Sequence, residues 1–158
     1  MWRFSLVSFV VVALAACIQP PDYPDIPELE LVGLTKDTIK QSSLNEDSIV
    51  VVLSFTDGDG NIGSEDSLNV FVTDLRDGFL AHKFRMPMIP EEGANNGISG
   101  ELSITIYSTC CVYPNGEPPC NPSTQFPTNT LQYGIYIRDN AGNNSNTIET
   151  PPITILCR

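Results

Sequence analysis

The sequence predicts an all-β protein, a single β-sandwich, and three observations lead to this prediction. Short runs of alternating apolar and polar residues recur after residue 28, as expected of strands with one buried face. Clusters of Gly, Asn, Asp and Pro separate these runs, and such residues favour turns. Beyond the N-terminal segment, apolar residues show no helical period of 3.6.

Seven strands account for the pattern, and the strongest covers residues 48–56. On that strand Ile49, Val51, Leu53 and Phe55 share one face. A second strong strand presents Leu131, Tyr133, Ile135 and Ile137 to the interior. In chain order the predicted strands are residues 28–34, 48–56, 68–73, 79–86, 102–107, 131–138 and 153–156. Seven strands in one domain predict an immunoglobulin-like sandwich with strands A to G, since an up-and-down barrel would need eight.

The N-terminal segment has the pattern of an export signal. Arg3 provides a positive start, and the apolar run from Phe4 to Ala16 is shorter than the ~20 residues that span a bilayer. Leu14-Ala15-Ala16-Cys17 resembles the lipobox of bacterial lipoproteins. That resemblance implies cleavage before Cys17 and lipid attached to it, and two or more acyl chains anchor a protein stably. The alternative is an ordinary secretory signal that is cut within Ala13-Leu14-Ala15.

The segment after Cys17 predicts a tether. Residues 18–27 contain four prolines, so we expect an extended spacer of roughly 30 Å. The acidic residues Asp22, Asp25 and Glu28 resemble the surface-export signals of Bacteroidetes lipoproteins, which implies the outer membrane, and its outer face rather than the periplasmic face. The predicted organisation is a signal peptide (1–16), the lipidated cysteine with its Pro-rich tether (17–27) and the immunoglobulin-like domain (28–158).

Charge and cysteine content narrow the functional classes. The formal net charge is −11, with 19 Asp and Glu against 8 Lys and Arg, so we expect no binding to nucleic acid. Four cysteines follow Cys17, namely Cys110, Cys111, Cys120 and Cys157. An even number in an exported chain predicts two disulfides. Adjacent cysteines on an extended strand point to opposite sides, which leaves two pairings, each with one short bridge to Cys120 and one long bridge to Cys157.

An acidic, glycine-rich segment predicts a calcium site. Asp57-Gly58-Asp59-Gly60-Asn61 follows a predicted strand, and Glu65 and Asp66 come soon after. Calcium takes oxygen ligands from carboxylates and amides. In the predicted topology the loop with Asp139 lies at the same end of the sandwich. Strand A begins at that end too, so we expect the tether to leave the domain beside this site, with the disulfides at the far end. The candidate ligands are Asp57, Asp59, Asn61, Glu65, Asp66 and Asp139. The alternative is that these residues only form tight turns, in which Asp, Asn and Gly are common.

Two resemblances support the location and the fold without implying an activity. The segment from Tyr133 to Asn143, Y-G-I-Y-I-R-D-N-A-G-N, resembles the penultimate strand and final hairpin of bacterial immunoglobulin-like extracellular domains. The D-G-D-G-x-I-G segment, the Cys-Cys pair and the final hairpin together resemble small uncharacterised Bacteroidetes lipoproteins.

Residues and motifs typical of catalytic sites are sparse, so we expect a non-catalytic binding or scaffolding module. The single histidine, His82, lies in a weak strand and is expected to be solvated, and no G-x-S-x-G motif occurs. Paired carboxylates leave a small hydrolase as a remote alternative. A glycan-binding protein is the nearer alternative, in which Tyr107, Tyr113 and Tyr136 would stack on sugars. The other expected partner is a protein.

Overall fold

The computed structural model describes residues 22–89 and 97–158, and this part of the chain is all-β, as predicted. It contains ten strands and no apolar helix long enough to cross a membrane. The strands are β1 (Glu28–Leu34), β2 (Thr38–Lys40), β3 (Ser48–Asp57), β4 (Val70–Asp74), β5 (Leu80–Phe84), β6 (Ile98–Tyr107), β7 (Thr128–Leu131), β8 (Tyr133–Ile137), β9 (Ile148–Glu149) and β10 (Ile153–Leu156). All seven predicted strands have counterparts.

The strands form two main sheets and one small one. One sheet has the order β1-β3-β6, the second has the order β5-β4-β8-β9, and the small sheet has the order β2-β10-β7. The antiparallel pairing of β3 with β6 is the longest, running from Ser48 opposite Tyr107 to Asp57 opposite Ile98. This order is that of an immunoglobulin-like sandwich.

The fourth predicted strand does not take the D position, which in the constant-type sandwich lies beside strand E. It becomes β5 and pairs with β4, so it belongs to the sheet of β4 and β8. A tight turn causes this pairing: Asp74 N–H donates to the Phe79 carbonyl at 2.9 Å, and Gly78 has a φ of 77°. Because the turn is short, β4 and β5 form a hairpin before the chain can cross to the other sheet.

The predicted strand 131–138 is divided between two sheets. β7 pairs with β10, whereas β8 pairs with β4 and β9, and Gln132 lies at the division. The chain that pairs with it is also divided, into β9 and β10. Pro151 and Pro152 lie between these two strands and have no N–H to donate to a ladder. Thr150 closes the gap, because its Oγ1 accepts from Tyr133 N–H at 3.0 Å. These breaks, together with the short strand β2, raise the count from seven to ten.

The core lies between the sheets and matches the predicted inward faces. The four apolar residues predicted to share a face on β3 are all buried, as are the four predicted on β7 and β8. Each large aliphatic side chain buried in this way contributes about 1.5–3 kcal/mol to the hydrophobic stabilisation. The fold therefore depends mainly on apolar packing rather than on charge pairs, of which the described residues contain two.

Two disulfides tie one end of the sandwich, as predicted. A short bridge joins Cys110 to Cys120, with 4.6 Å between the Cα atoms, and a long bridge joins Cys111 to Cys157 at 5.9 Å. We call this end the disulfide pole; it comprises residues 41–47, 75–79, 108–127 and 157–158. The Arg76 side chain pairs with Asp74 here and donates to the Cys110 carbonyl at 3.2 Å. The sequence had left open which adjacent cysteine makes which bridge.

Candidate functional site

The opposite end of the sandwich, the acidic pole, brings together the two loops that the sequence predicted to face each other. We define it as residues 57–69 and 138–147. Asn140 joins the loops, because its N–H donates to the Asn61 carbonyl at 3.3 Å and its Nδ2 donates to the Gly63 carbonyl at 2.8 Å. The two oxygen-rich loops are therefore in direct contact, as their position after β3 and β8 predicts.

Asp57 is the most unusual residue of this pole. Its side chain is fully buried at the end of β3, with 0% exposure. One carboxylate oxygen, Oδ2, accepts from Ile62 N–H at 3.1 Å, while Oδ1 has no hydrogen-bond partner among the described residues. Burial, and the nearby charges of Asp59 and Asp139, raise the pKa of Asp57 to about 6.

The other two aspartates serve their own turns. Asp59 accepts from the backbone N–H of Asn61 at 3.3 Å and from Asn61 Nδ2 at 2.6 Å. Asp139 accepts from the N–H and Nδ2 of Asn143 at 2.7 and 2.8 Å. Such hydrogen bonds from an aspartate to its own turn are what we expect if these residues only form tight turns, the alternative to calcium binding. Turn chemistry thus explains Asp59 and Asp139, but not the unpaired oxygen of Asp57.

The remaining predicted ligands lie further out. Glu65 and Asp66 are exposed, and their hydrogen bonds in the described structure involve backbone atoms: the Glu65 carbonyl accepts from Arg85, and Asp66 N–H donates to Ser64 Oγ at 3.2 Å. Within residues 22–89 and 97–158, no three His, Cys, Asp or Glu side chains converge as a metal-binding group. A cation at Asp57 would therefore need carbonyl or amide oxygens as well as carboxylates.

The end of the predicted tether lies beside Asp57, as expected from a first strand that begins at this pole, but its packing against Gly58 was not predicted. Gly58 N–H donates to the Pro24 carbonyl at 2.7 Å. A Cβ at Gly58 would lie 2.2 Å from the Tyr23 carbonyl oxygen, and one at Gly97 would lie 2.8 Å from the Tyr23 ring. Both positions therefore require glycine.

Other predicted residues have the following positions. Cys17 and the signal peptide lie outside the described residues. His82 is half-buried on the inward face of β5, with its ring centre 6.4 Å from that of Tyr133, rather than solvated. Burial lowers the pKa of His82. Tyr113 is buried against Phe126, which removes it from the tyrosines available to a glycan.

A scan against protein-family models, a search of curated proteins and a search of solved structures find no significant match to this chain.

Proposed function

We propose that this protein is a lipid-anchored, non-catalytic binding or scaffolding module that presents its disulfide pole away from the membrane. The observation that carries the proposal is the position of the tether. Glu28 pairs with Thr56, and Pro24 is bonded to Gly58, so the chain enters the sandwich at the acidic pole. A membrane anchor at Cys17 would therefore hold the acidic pole towards the lipid and the disulfide pole towards solvent.

The disulfide pole has the surface expected of a protein-binding end. Several large apolar side chains are exposed there or at its border, including Leu44 at 77% and Phe79 at 74%. Such side chains are the usual anchors of protein interfaces when they lie together on a rigid support. The two bridges and the Arg76 contacts supply that support. We therefore propose a protein partner at this pole.

Calcium is the proposed stabiliser of the acidic pole. The buried Oδ1 of Asp57, which has no hydrogen-bond partner among residues 22–89 and 97–158, supports this proposal, because a buried carboxylate oxygen without a partner is costly and a cation would satisfy it. Asn61, which lies between Asp59 and the Asp139 hairpin, offers further oxygens. Calcium would supply charge neutralisation only; the proposed module performs no chemical step.

The anchor is tested by replacing Cys17 with Ser in the full chain. We expect wild-type protein to fractionate with the outer membrane and to incorporate labelled palmitate, and the variant to do neither. Ser at both Cys110 and Cys120 is the control, since it removes cysteines without touching the lipobox and leaves no unpaired thiol. Unchanged membrane association and labelling of the Cys17 variant would contradict the anchor.

Calcium and the partner need separate tests. Melting curves of the full chain in calcium and then in chelator should differ if the ion binds, and identical curves would contradict calcium.

Co-purification from membranes should yield a protein partner that is lost when Phe79 is replaced with Ser and retained when the exposed Val32 of β1 is replaced with Ser. Equal recovery with both variants would contradict the proposed interface.

A further inference from the structure

The outer face of the second sheet carries a strip of aromatic and cationic side chains. Phe71 lies opposite Tyr136 on β8 and opposite Lys83 on β5, so all three share this face. The rings of Phe71 and Tyr136 stack with centres 4.8 Å apart. Lys83 Nζ and the Arg138 guanidinium lie 5.8 and 5.3 Å from the centre of the Phe71 ring. We call this surface the cationic strip.

The strip is unexpected in so acidic a chain. Acidic residues outnumber basic ones by 19 to 8, so carboxylate partners are abundant. Yet the ion pairs found in the described ranges are Lys36–Asp47 and Arg76–Asp74, both away from this face. Within those ranges, Lys83 and Arg138 lie over an aromatic ring, and neither forms an ion pair with a carboxylate. Arg85, two residues beyond Lys83 and exposed, extends the positive charge along the same face.

A cleft adjoins the strip. Its volume is about 410 Å³, within the range of small-ligand sites, and Phe71 and Arg138 form part of its wall. Ser67 and Asn140 line it as well and provide hydroxyl and amide groups. Asp139 borders the cleft, but both of its oxygens already accept hydrogen bonds from Asn143. The Arg138 Nε donates to Asn144 at 2.7 Å, so the guanidinium is held in position beside the cleft.

We propose that the cationic strip and this cleft bind a carboxylate-bearing polysaccharide. Lys83 and Arg138 would pair with successive carboxylates, and Ser67 and Asn140 would bond sugar hydroxyls. A polysaccharide fits this face better than an acidic protein, because among the residues that line the cleft Leu68 is the one large exposed aliphatic side chain that could serve as an apolar anchor. The exposed apolar side chains Leu44 and Phe79 lie at the disulfide pole instead. The proposal depends neither on the lipid anchor nor on calcium.

The negative net charge does not prevent such binding. Charges farther away than the Debye length, about 8 Å at physiological ionic strength, are largely screened. A bound carboxylate would therefore interact with Lys83, Arg85 and Arg138, and with the single acid that lines the cleft, Asp139, more than with the acids of the remaining surface. Binding should weaken as salt rises, because the contacts on this exposed strip are themselves ionic.

Calorimetry with the full chain in detergent tests the proposal, with oligogalacturonate as the probe. Its methyl ester, the same sugar without charge, and poly-glutamate are the comparison ligands. We expect oligogalacturonate to bind and the ester not to bind. Replacing Lys83 with Gln should weaken binding about two- to fivefold, as should replacing Arg138 with Gln. Lys40→Gln is the matched control, since Lys40 is an exposed cation of β2 outside this sheet, and its replacement should leave affinity unchanged.

Several outcomes would overturn the proposal. These are no binding of oligogalacturonate at low salt, equal weakening by the Lys40 and Lys83 variants, or binding of poly-glutamate alone, which would indicate an acidic polypeptide instead. Lys83 is exposed and its side chain makes no hydrogen bond within the described residues, so its variant remains informative if the Arg138 variant disturbs the hairpin.

Discussion

Replacing Asp57 with Asn should change how the stability of the protein depends on pH. Burial and the neighbouring aspartates raise the pKa of Asp57 from 3.8 to about 6 in the folded chain. The folded state therefore holds a proton more tightly than the unfolded state. Protonated Asp57 stabilises the fold below pH 3.8, and this contribution is lost as the pH rises through about 6. Asparagine does not titrate, so the variant lacks this loss.

The magnitude follows from the pKa shift. At 1.36 kcal/mol per pKa unit the upper limit is about 3 kcal/mol. Solvent around the loop screens part of this, so we expect about 1–2 kcal/mol. The amide also leaves a buried N–H₂ group in place of the unpaired oxygen, a cost that is the same at every pH. This constant cost does not affect how the stability difference between wild type and variant changes with pH. That change therefore reports on the ionisation of Asp57.

Urea unfolding of both full chains between pH 4 and pH 7.5, in chelator, measures this difference. The stability difference should move in favour of the variant by about 1–2 kcal/mol across that range. Glu101→Gln is the control, since Glu101 is an exposed acid of β6 outside the two acidic loops. A difference that stays constant with pH would refute the assigned environment of Asp57. Calcium at pH 7.5 should stabilise wild type and the control but not the Asp57 variant, if Asp57 is a ligand.

Two further predictions concern the ends of the sandwich. Replacing both cysteines of the long bridge, which closes 46 residues, with Ala should lower the free energy of unfolding by about 4 kcal/mol. The same change at the short bridge, which closes 10 residues, should lower it by about 3 kcal/mol. Urea unfolding measures both losses, and equal losses or the reverse order would contradict the chain-entropy explanation. Gly58→Ala should displace the tether from Tyr23 and speed limited proteolysis within residues 22–27, with a stability loss of about 1–3 kcal/mol. Gly33→Ala, where an added Cβ meets nothing within 4 Å, is the control, and equal cleavage in both variants would show that the tether does not depend on this contact.

Much of the candidate site was predictable because loop position follows from strand order. Once residues 48–57 and 133–137 are strands of a sandwich, the loops that contain Asp57 and Asp139 must lie at one end. The roles of the individual aspartates could not be read in the same way. Sequence spacing does not reveal whether a carboxylate bonds to its own turn, as Asp59 does, or is buried without a full set of partners, as Asp57 is.

The cationic strip was not predicted from the sequence. Phe71, Lys83 and Arg138 are separated along the chain and come together only through the pairing of β4 with β5 and β8. The prediction had assigned the strand of Lys83 to the D position, which would have moved it to the other sheet. Strand pairing depends on turn geometry and on which edge is free, and alternation of apolar residues does not encode either.

The sequence by itself determined the all-β class, the inward faces of the main strands and the presence of two disulfides, because side-chain alternation and cysteine count are local properties of the chain. Only the tertiary structure decided how the two bridges pair, how one predicted strand is divided at Gln132, and how the tether packs against Gly58 beside Asp57. Each of these depends on contacts between segments far apart in sequence. The energies of such contacts are set by three-dimensional packing rather than by local residue preferences.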